Sequence, residues 1–366
     1  MSFFSNKNKN PELTADEVLN ALRTVIDPDL KRDLVSLNMV RDVKVEEGRV
    51  SFTVVLTTPA CPLKEHIRQE CLRAVNALSG VRDVQINITS QVSTQAGAGT
   101  KQQIPGVRNI VAVSSGKGGV GKSTVATNLA ICLAQTEAKV GLMDADAYGP
   151  NIPQMVGVNE APTAAGNLIY PPEKYGVKVM SVALLTEPDQ PVIWRGPMLH
   201  NLISQFLYNV AWGELDYLVV DMPPGTGDAQ LSLTQHVPLA GAVMVTTPQQ
   251  IAQADVRRAI MMFRRVEVPV LGIVENMAYF LCPDNNKRYD IFGTGGGERL
   301  AEQFQVPFLG RIPIDPRVVE GGDMGNPIVL STPESEAAIS FQAVAAAVAQ
   351  QVSIANAQNR PLPVLQ

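Results

Sequence analysis

No stretch of this chain approaches the roughly 18 uninterrupted apolar residues of a membrane-crossing helix. The opening Met-Ser-Phe-Phe-Ser-Asn-Lys-Asn-Lys-Asn has no apolar block of the kind that heads a secretion signal. The expected location is therefore the cytoplasm, with no membrane partner. Long basic runs are also missing. With a formal net charge of -5 and a pI near 5.4, an electrostatic grip on nucleic acid is not expected. Histidine is scarce: His66, His200 and His236 stand alone in the sequence, which argues against a histidine-based metal site. Cysteine is scarce too, and Cys61, Cys71, Cys132 and Cys282 form neither a C-x-x-C pair nor a zinc framework. In a reducing compartment all four stay thiols. Cys71 and Cys132 lie in helix-like apolar patterns and read as core. Cys61 and Cys282 each precede a proline in a loop-like setting, where a thiol is available for chemistry.

What the chain does have is a 45% hydrophobic composition spread over 366 residues, enough for two or three domains. Residues 12–89 read as a small α+β unit. A Thr14-x-x-Glu17 capping box opens a helix over Leu13 to Val25. Strands Met39–Glu46 and Arg49–Leu56 turn at Glu47-Gly48, a second helix covers Pro62 to Leu78, and Val81–Thr89 alternates as a final strand. Residues 90–108 are Ser, Thr, Gln and Gly without an apolar period, the composition of a flexible linker. Residues 109–352 then alternate between strands and helices. Strands are expected near Ile110–Ser114, Lys139–Asp144, Val177–Val182, Tyr217–Asp221, Gly241–Thr246, Val270–Glu275 and Phe308–Ile312. Continuous apolar strands such as Tyr217-Leu218-Val219-Val220 are buried on both faces, so the fold class is α/β with a doubly wound, mainly parallel sheet. An Ala-rich tail helix, near Glu334 to Val352, packs on the body; it lacks the Lys and Arg stripe of a membrane-surface helix.

Directly after Ile110-Val111-Ala112-Val113 comes Gly116-Lys117-Gly118-Gly119-Val120-Gly121-Lys122-Ser123-Thr124. The spacing G-x-x-x-x-G-K-S between a buried-type strand and an amphipathic helix is a phosphate-binding loop. Its glycines let successive N–H groups converge on a pyrophosphate, Lys122 supplies a mobile cation, and Ser123 offers a hydroxyl to Mg²⁺. Lys117 is a second lysine, placed off the path that Lys122 takes. Asp144-Ala145-Asp146 follows the next strand, so both carboxylates emerge at the same sheet edge. Asp221 closes an apolar strand in the Walker B position for Mg²⁺, and Pro223-Pro224-Gly225 after it lets a backbone N–H approach a γ-phosphate.

The segment Lys117 to Thr124, with Asp144 to Pro153, Trp194-Arg195-Gly196-Pro197, Asp221 to Asp228 and Glu275-Asn276-Met277 in order, resembles the Mrp/ApbC iron–sulfur carriers among the deviant Walker A ATPases. Asp27-Pro28-Asp29 and Thr57-Thr58-Pro59-Ala60-Cys61-Pro62 resemble the SufT-type domain that precedes the ATPase in many members. The resemblance implies an ATP-sandwiched homodimer that hydrolyses ATP and passes clusters to apo iron–sulfur proteins. It implies that Lys117 reaches the partner's nucleotide, that Asp146 positions or deprotonates the attacking water, and that Asp144 supports Mg²⁺. It also implies that Asn276, Pro313 and Asp315 contact adenine. One departure stands out. Members that hold a cluster between subunits carry a C-x-x-C after the Asn-Met segment, whereas here Asn285 replaces the second cysteine after Cys282. Two Cys282 thiolates per dimer then need further ligands: water, a small thiol, Asp284 or Cys61. His66, five residues after Cys61 at the start of the expected helix, is close enough in sequence to lower that thiol's pKa, but a surface role is the expected one. The competing readings are a nucleotide-switched positioning ATPase of the partition or division-site type, and an ATP-dependent assembly scaffold that holds no cluster.

Overall fold

The computed structural model describes residues 13–92, 101–186, 196–225, 227, 230, 231, 233, 234 and 237–358. Two units separate between Val92 and Ser93. In the first, the Thr14 hydroxyl accepts from the Glu17 N–H at 3.3 Å, while the Thr14 N–H donates to the Glu17 carboxylate at 2.9 Å. This box starts helix Ala15–Leu22. The strand Arg49–Leu56 alternates buried and open positions, so one face of its sheet is core. It pairs antiparallel with Val40–Glu46 and parallel with Asp83–Ser90. Helix Lys64–Asn76 lays Ile67, Cys71 and Val75 onto that face, at the four-residue spacing of one helix stripe. Burial pushes the Cys71 thiol up to about 12, which suits an inert core cysteine.

The expected linker is structured at both ends. Ser90 is the last residue of a strand, and the Gln91 N–H donates to the Leu56 carbonyl at 2.8 Å. Further on, Ile104 is buried, and the Arg108 N–H donates to the Leu215 carbonyl at 2.9 Å. The polar composition hid these contacts, because most of them are made by backbone groups and one isolated apolar side chain.

The second unit is built on an eight-stranded sheet. Its strands are β1 Ile110–Ser115, β2 Val140–Asp144, β3 Glu173–Lys174, β4 Val177–Met180, β5 Tyr217–Asp221, β6 Gly241–Thr246, β7 Val270–Glu275 and β8 Phe308–Arg311. Their spatial order is β3-β4-β2-β5-β1-β6-β7-β8. Every pairing is parallel except the edge strand β3 on β4. β3 is an addition to the seven expected strands, and it is too short to carry a readable apolar period. The chain leaves β1 toward β2 and later continues on β1's other side at β6, so the strand order reverses at β1. In open α/β sheets that reversal opens a crevice at the carboxyl ends of the strands.

Helix Lys122–Gln135 departs from the expected one-sided pattern. Every residue from Val125 to Leu133 is buried, because the tail helix Glu336–Gln358 packs across its outer face. That tail helix is long and apolar enough to cross a membrane, but Phe341, Val344, Val348 and Val352 are buried in the unit. Its end is tied down where the Asn356 amide donates to the Asn109 side-chain carbonyl at 2.9 Å.

Candidate functional site

Strands β1, β2 and β5 lie side by side, and their carboxyl ends deliver the site. Register places Asp221 opposite both Val113 and Asp144, so the two carboxylates and the loop that follows β1 converge. The loop closes through glycine. Gly119 and Gly121 hold φ of 77° and 80°, the left-handed region that a side chain disfavours. A Cβ on Gly121 would stand 2.2 Å from the Asn276 amide nitrogen. A Cβ on Gly116 would stand 2.2 Å from the Asp255 backbone, so the loop is pressed against helix Gln250–Arg265. Gly118 meets nothing within 4 Å and faces the open side.

Behind the loop is a tight ionic knot. The Lys122 ammonium donates to Asp221 Oδ1 at 2.7 Å and lies 3.6 Å from Asp146 Oδ2. The Ser123 hydroxyl donates to Asp221 Oδ2 at 2.6 Å. Lys122 is 6% exposed and Asp221 is 0% exposed, so this pair has lost its water and is held by mutual attraction. Burial pushes the Asp221 carboxyl up, opposed by the Lys122 and Ser123 hydrogen bonds. Ser123 Oγ and Asp221 form an all-oxygen pair suited to a hard divalent cation. Mg²⁺ held there with Asp144 nearby would neutralise charge on the β- and γ-phosphates. Among the described residues, no group of three or more His, Cys, Asp or Glu side chains is placed to hold a metal ion unaided. That is consistent with a cation that takes most of its ligands from phosphate and water.

Asp144 is less free than the sequence implied. Ser181, just past β4, donates its hydroxyl to Asp144 Oδ2 at 2.9 Å, and the Asp146 N–H donates to Asp144 Oδ1 at 3.1 Å. Burial first, then the nearby Asp221 charge, pushes the Asp144 carboxyl up to about 8. In the unfolded chain an aspartate titrates near ~3.9. Between these values the folded protein holds a proton here that the unfolded chain has lost, so this group's contribution to stability is greatest at low pH and falls as pH rises toward 8. Urea unfolding of the nucleotide-free protein should show a decline of at most about 1.4 kcal/mol per pH unit from this group. Asp144→Asn should flatten it, and an unchanged slope would assign the titration elsewhere.

The remaining sequence-selected residues are placed as follows. Lys117, in the loop, has no ion-pair partner among the described residues, and its carbonyl accepts from Ser115 Oγ at 2.9 Å. The phosphate-loop cavity, about 240 Å³, is lined by Lys117, Gly118, Gly119, Gly121, Lys122, Ser123, Thr124 and Asp146, so the expected catalytic and phosphate groups share one space. The Val120 carbonyl is taken by the Asn276 amide at 2.9 Å, which makes Asn276 a brace of the loop. Pro313 and Asp315 line an adjoining slot of about 490 Å³. The Asp315 carboxylate is already engaged by Arg317 and caps helix Pro316–Asp323. The Gly225 N–H, expected near a γ-phosphate, donates to the Ser115 carbonyl at 3.1 Å. Trp194, Arg195, Thr226 and Asp228 lie outside the described residues.

The cysteines divide as expected into core and loop. Cys282 is half-buried at the base of a small hairpin in which Phe280–Leu281 pairs with Arg288–Tyr289. The Asn286 N–H donates to the Cys282 carbonyl at 2.9 Å, and Asn285 Oδ1 accepts from the Lys287 N–H at 2.9 Å. Asn285, where a second thiolate was sought, therefore closes the turn with its side chain. Cys61 is half-buried in its own unit. Its thiol is pushed up, by burial and then by the Asp29 and Asp27 charges, with no lowering from His66. Ser181 and Gln230 were missed by sequence reading. Gln230 is 1% exposed and donates to Ser114 Oγ at 3.2 Å and to the Pro223 carbonyl at 2.5 Å, tying the loop after β5 to β1.

Residues 106–349 match the family model described as NUBPL iron-transfer P-loop NTPase. The chain belongs to the NUBPL iron-transfer P-loop NTPases. Residues 15–88 match a second model, described as iron-sulfur cluster assembly protein. Among similar relatives of this NTPase, the iron-sulfur cluster carrier protein of Synechocystis sp. is 54% identical over 94% of this chain and 99% of its own. The carrier protein of Escherichia coli is 41% identical over 94% of both chains. Among solved structures, a nucleotide-binding protein from Archaeoglobus fulgidus in complex with ADP is 40% identical. It has a TM-score of 0.57 and covers 64% of this chain and 92% of that chain. The Pyrococcus furiosus cell division ATPase MinD is 25% identical at a TM-score of 0.51, over 66% of this chain and 98% of its own. The chain is thus a P-loop ATP hydrolase of the iron-transfer type, on a doubly wound α/β fold.

Proposed function

We propose that this protein is an ATP-hydrolysing iron–sulfur cluster carrier of the cytoplasm that works as a homodimer and hands clusters to apo iron–sulfur proteins. The observation that carries the reading is the phosphate-loop cavity itself. Lys122, Ser123 and Asp221 already satisfy one another there, while Lys117 stands in the same space with no ion-pair partner among the described residues. A cation not needed by its own site is available to a partner's nucleotide, where it would stabilise charge on the β–γ bridge. Asp146, on the cavity wall, is the carboxylate placed to orient the attacking water. Mg²⁺ is assigned to Ser123 and Asp221, with Asp144 in support.

The cargo is assigned to Cys282. Pro313, Ile314 and Asp315 line both the slot beside the phosphate loop and a second cavity, of about 490 Å³, that contains Cys282. One segment thus walls both spaces, which gives nucleotide binding a short route to the thiol. With Asn285 committed to its turn, two Cys282 thiolates from a dimer supply half of a four-thiolate set, and the remainder comes from water, a small thiol or Asp284. Such a cluster is held loosely, as suits cargo to be passed on.

Anaerobic reconstitution with iron and sulfide tests this. Wild type should gain iron and visible absorbance, and Cys282→Ser should lose most of both. Equal, negligible iron in wild type, Cys282→Ser and Cys61→Ser would leave an assembly scaffold without its own cluster as the better description.

A further inference from the structure

The chain that enters the second unit is fastened to the helical residues that follow the loop after β5. The Lys101 ammonium donates to the Thr234 carbonyl at 2.8 Å, and the Tyr208 hydroxyl donates to the Gln102 carbonyl at 3.3 Å. Ile104, 4% exposed, belongs to the core cluster that holds Leu207, Leu233 and Val237. Residues 101–104 thus form a short strap, with one deep anchor at Ile104 and two polar ties before it.

The other end of the same helical segment reaches the phosphate site. Gln230, Leu231, Leu233 and Thr234 are helical, and Gln230 and Thr234 stand about one turn apart. The buried Gln230 amide donates to Ser114 Oγ at 3.2 Å and to the Pro223 carbonyl at 2.5 Å. Ser115 and Pro224 line the phosphate-loop cavity, and the Gly225 N–H donates to the Ser115 carbonyl at 3.1 Å. A backbone N–H carries a single hydrogen, so this one serves either the Ser115 carbonyl or a γ-phosphate oxygen. Giving it to phosphate draws the loop off β1. The Gln230 bond to Pro223 then passes that displacement into the helical segment, and Thr234 carries it to Lys101. The loop is a two-state element, and the strap holds it in one of the two states.

We infer that residues 101–103 are a triphosphate-sensitive strap. Lys101 on Thr234 favours the arrangement in which Gly225 is bonded to Ser115, and a γ-phosphate that takes Gly225 loosens Lys101. The two events are linked, so each alters the other's equilibrium by the same factor. Ile104 stays in the core, so loosening frees residues 101–103 to lengthen the tether to the first unit. The inference rests on the nucleotide reading of the site and adds a control over it.

The test compares wild type with Lys101→Met, as full chains, by calorimetric titration of a non-hydrolysable ATP analogue and of ADP, each with Mg²⁺. The variant should bind the triphosphate about fivefold more tightly than wild type, the worth of one net hydrogen bond. Its affinity for ADP should be unchanged, because ADP brings no γ-phosphate to Gly225. Tyr208→Phe, which removes the second tie, should shift the triphosphate-to-ADP ratio in the same direction. In wild type, trypsin should cut after Lys101 about fivefold faster with the analogue bound than with ADP bound, as followed by mass spectrometry. A merely structural role for Lys101 lowers the melting temperature and leaves the triphosphate-to-ADP ratio at the wild-type value, which overturns the inference. Equal rates of cutting with analogue and ADP overturn it as well. Should Lys101→Met fail to fold, the tryptic rates of wild type decide alone. Absence of all nucleotide binding to wild type would instead sink the site reading beneath it.

Discussion

Lys117→Ala is expected to lower steady-state ATP hydrolysis by about a thousandfold while ATP affinity changes by less than about threefold, the signature of a cation that acts on the transition state more than on the ground state. The expectation follows from the division of labour in the loop. Lys122 is buried in its ion pair with Asp221 and remains with its own site. Lys117 lines the same cavity without an ion-pair partner among the described residues. Phosphoryl transfer offers a protein little covalent chemistry, so a positioned charge on the bridging oxygen supplies much of the rate. On the proposed reading the charge is lent to a second copy, so turnover per chain should also rise with protein concentration until dimers are complete. Colorimetric phosphate release over a dilution series, with nucleotide titration alongside, reads both. Undiminished turnover in Lys117→Ala, or turnover strictly proportional to protein with only monomers in saturating non-hydrolysable analogue, would end the cross-subunit assignment.

Lys122→Met is expected to abolish measurable ATP binding and also to cost the nucleotide-free protein about 3 kcal/mol or more of stability, because removing one partner of a buried pair strands the other. Asp221 has 0% exposure and accepts from both Lys122 and Ser123. Without the ammonium its carboxylate keeps one hydroxyl donor and no counter-charge. Burial already pushes that carboxyl up, so in the variant it takes a proton more readily and the loss should shrink as pH falls. Adding Asp221→Asn to Lys122→Met should recover most of the stability and none of the nucleotide binding. Urea unfolding at pH 6 and pH 8 and nucleotide titration measure these effects separately. Additive stability losses in the double variant would mean that the two side chains do not depend on each other as the 2.7 Å contact requires.

Much of this architecture was readable because its signals are local. The apolar runs Ile110–Val113 and Tyr217–Val220 announced strands buried on both faces, and both are buried throughout. The phosphate loop was readable because positive-φ turns demand glycine at set positions, and Gly119 and Gly121 occupy that region. The capping box at Thr14 carried its own meaning over four residues.

The sequence by itself determined the α/β class, the strand-loop-helix setting of the nucleotide site and the identity of its charged groups, since periodicity, turn chemistry and motif spacing are properties of neighbouring residues. The tertiary structure alone decided how those groups are satisfied. Ser181 reaches Asp144 from 37 residues away, Lys122 meets Asp221 across 99, and Asn276 braces Val120 across 156. The order of strands sets each of these partners. Burial then removes the water that would otherwise have answered every buried polar group, so the choice of neighbour fixes charge state and role together.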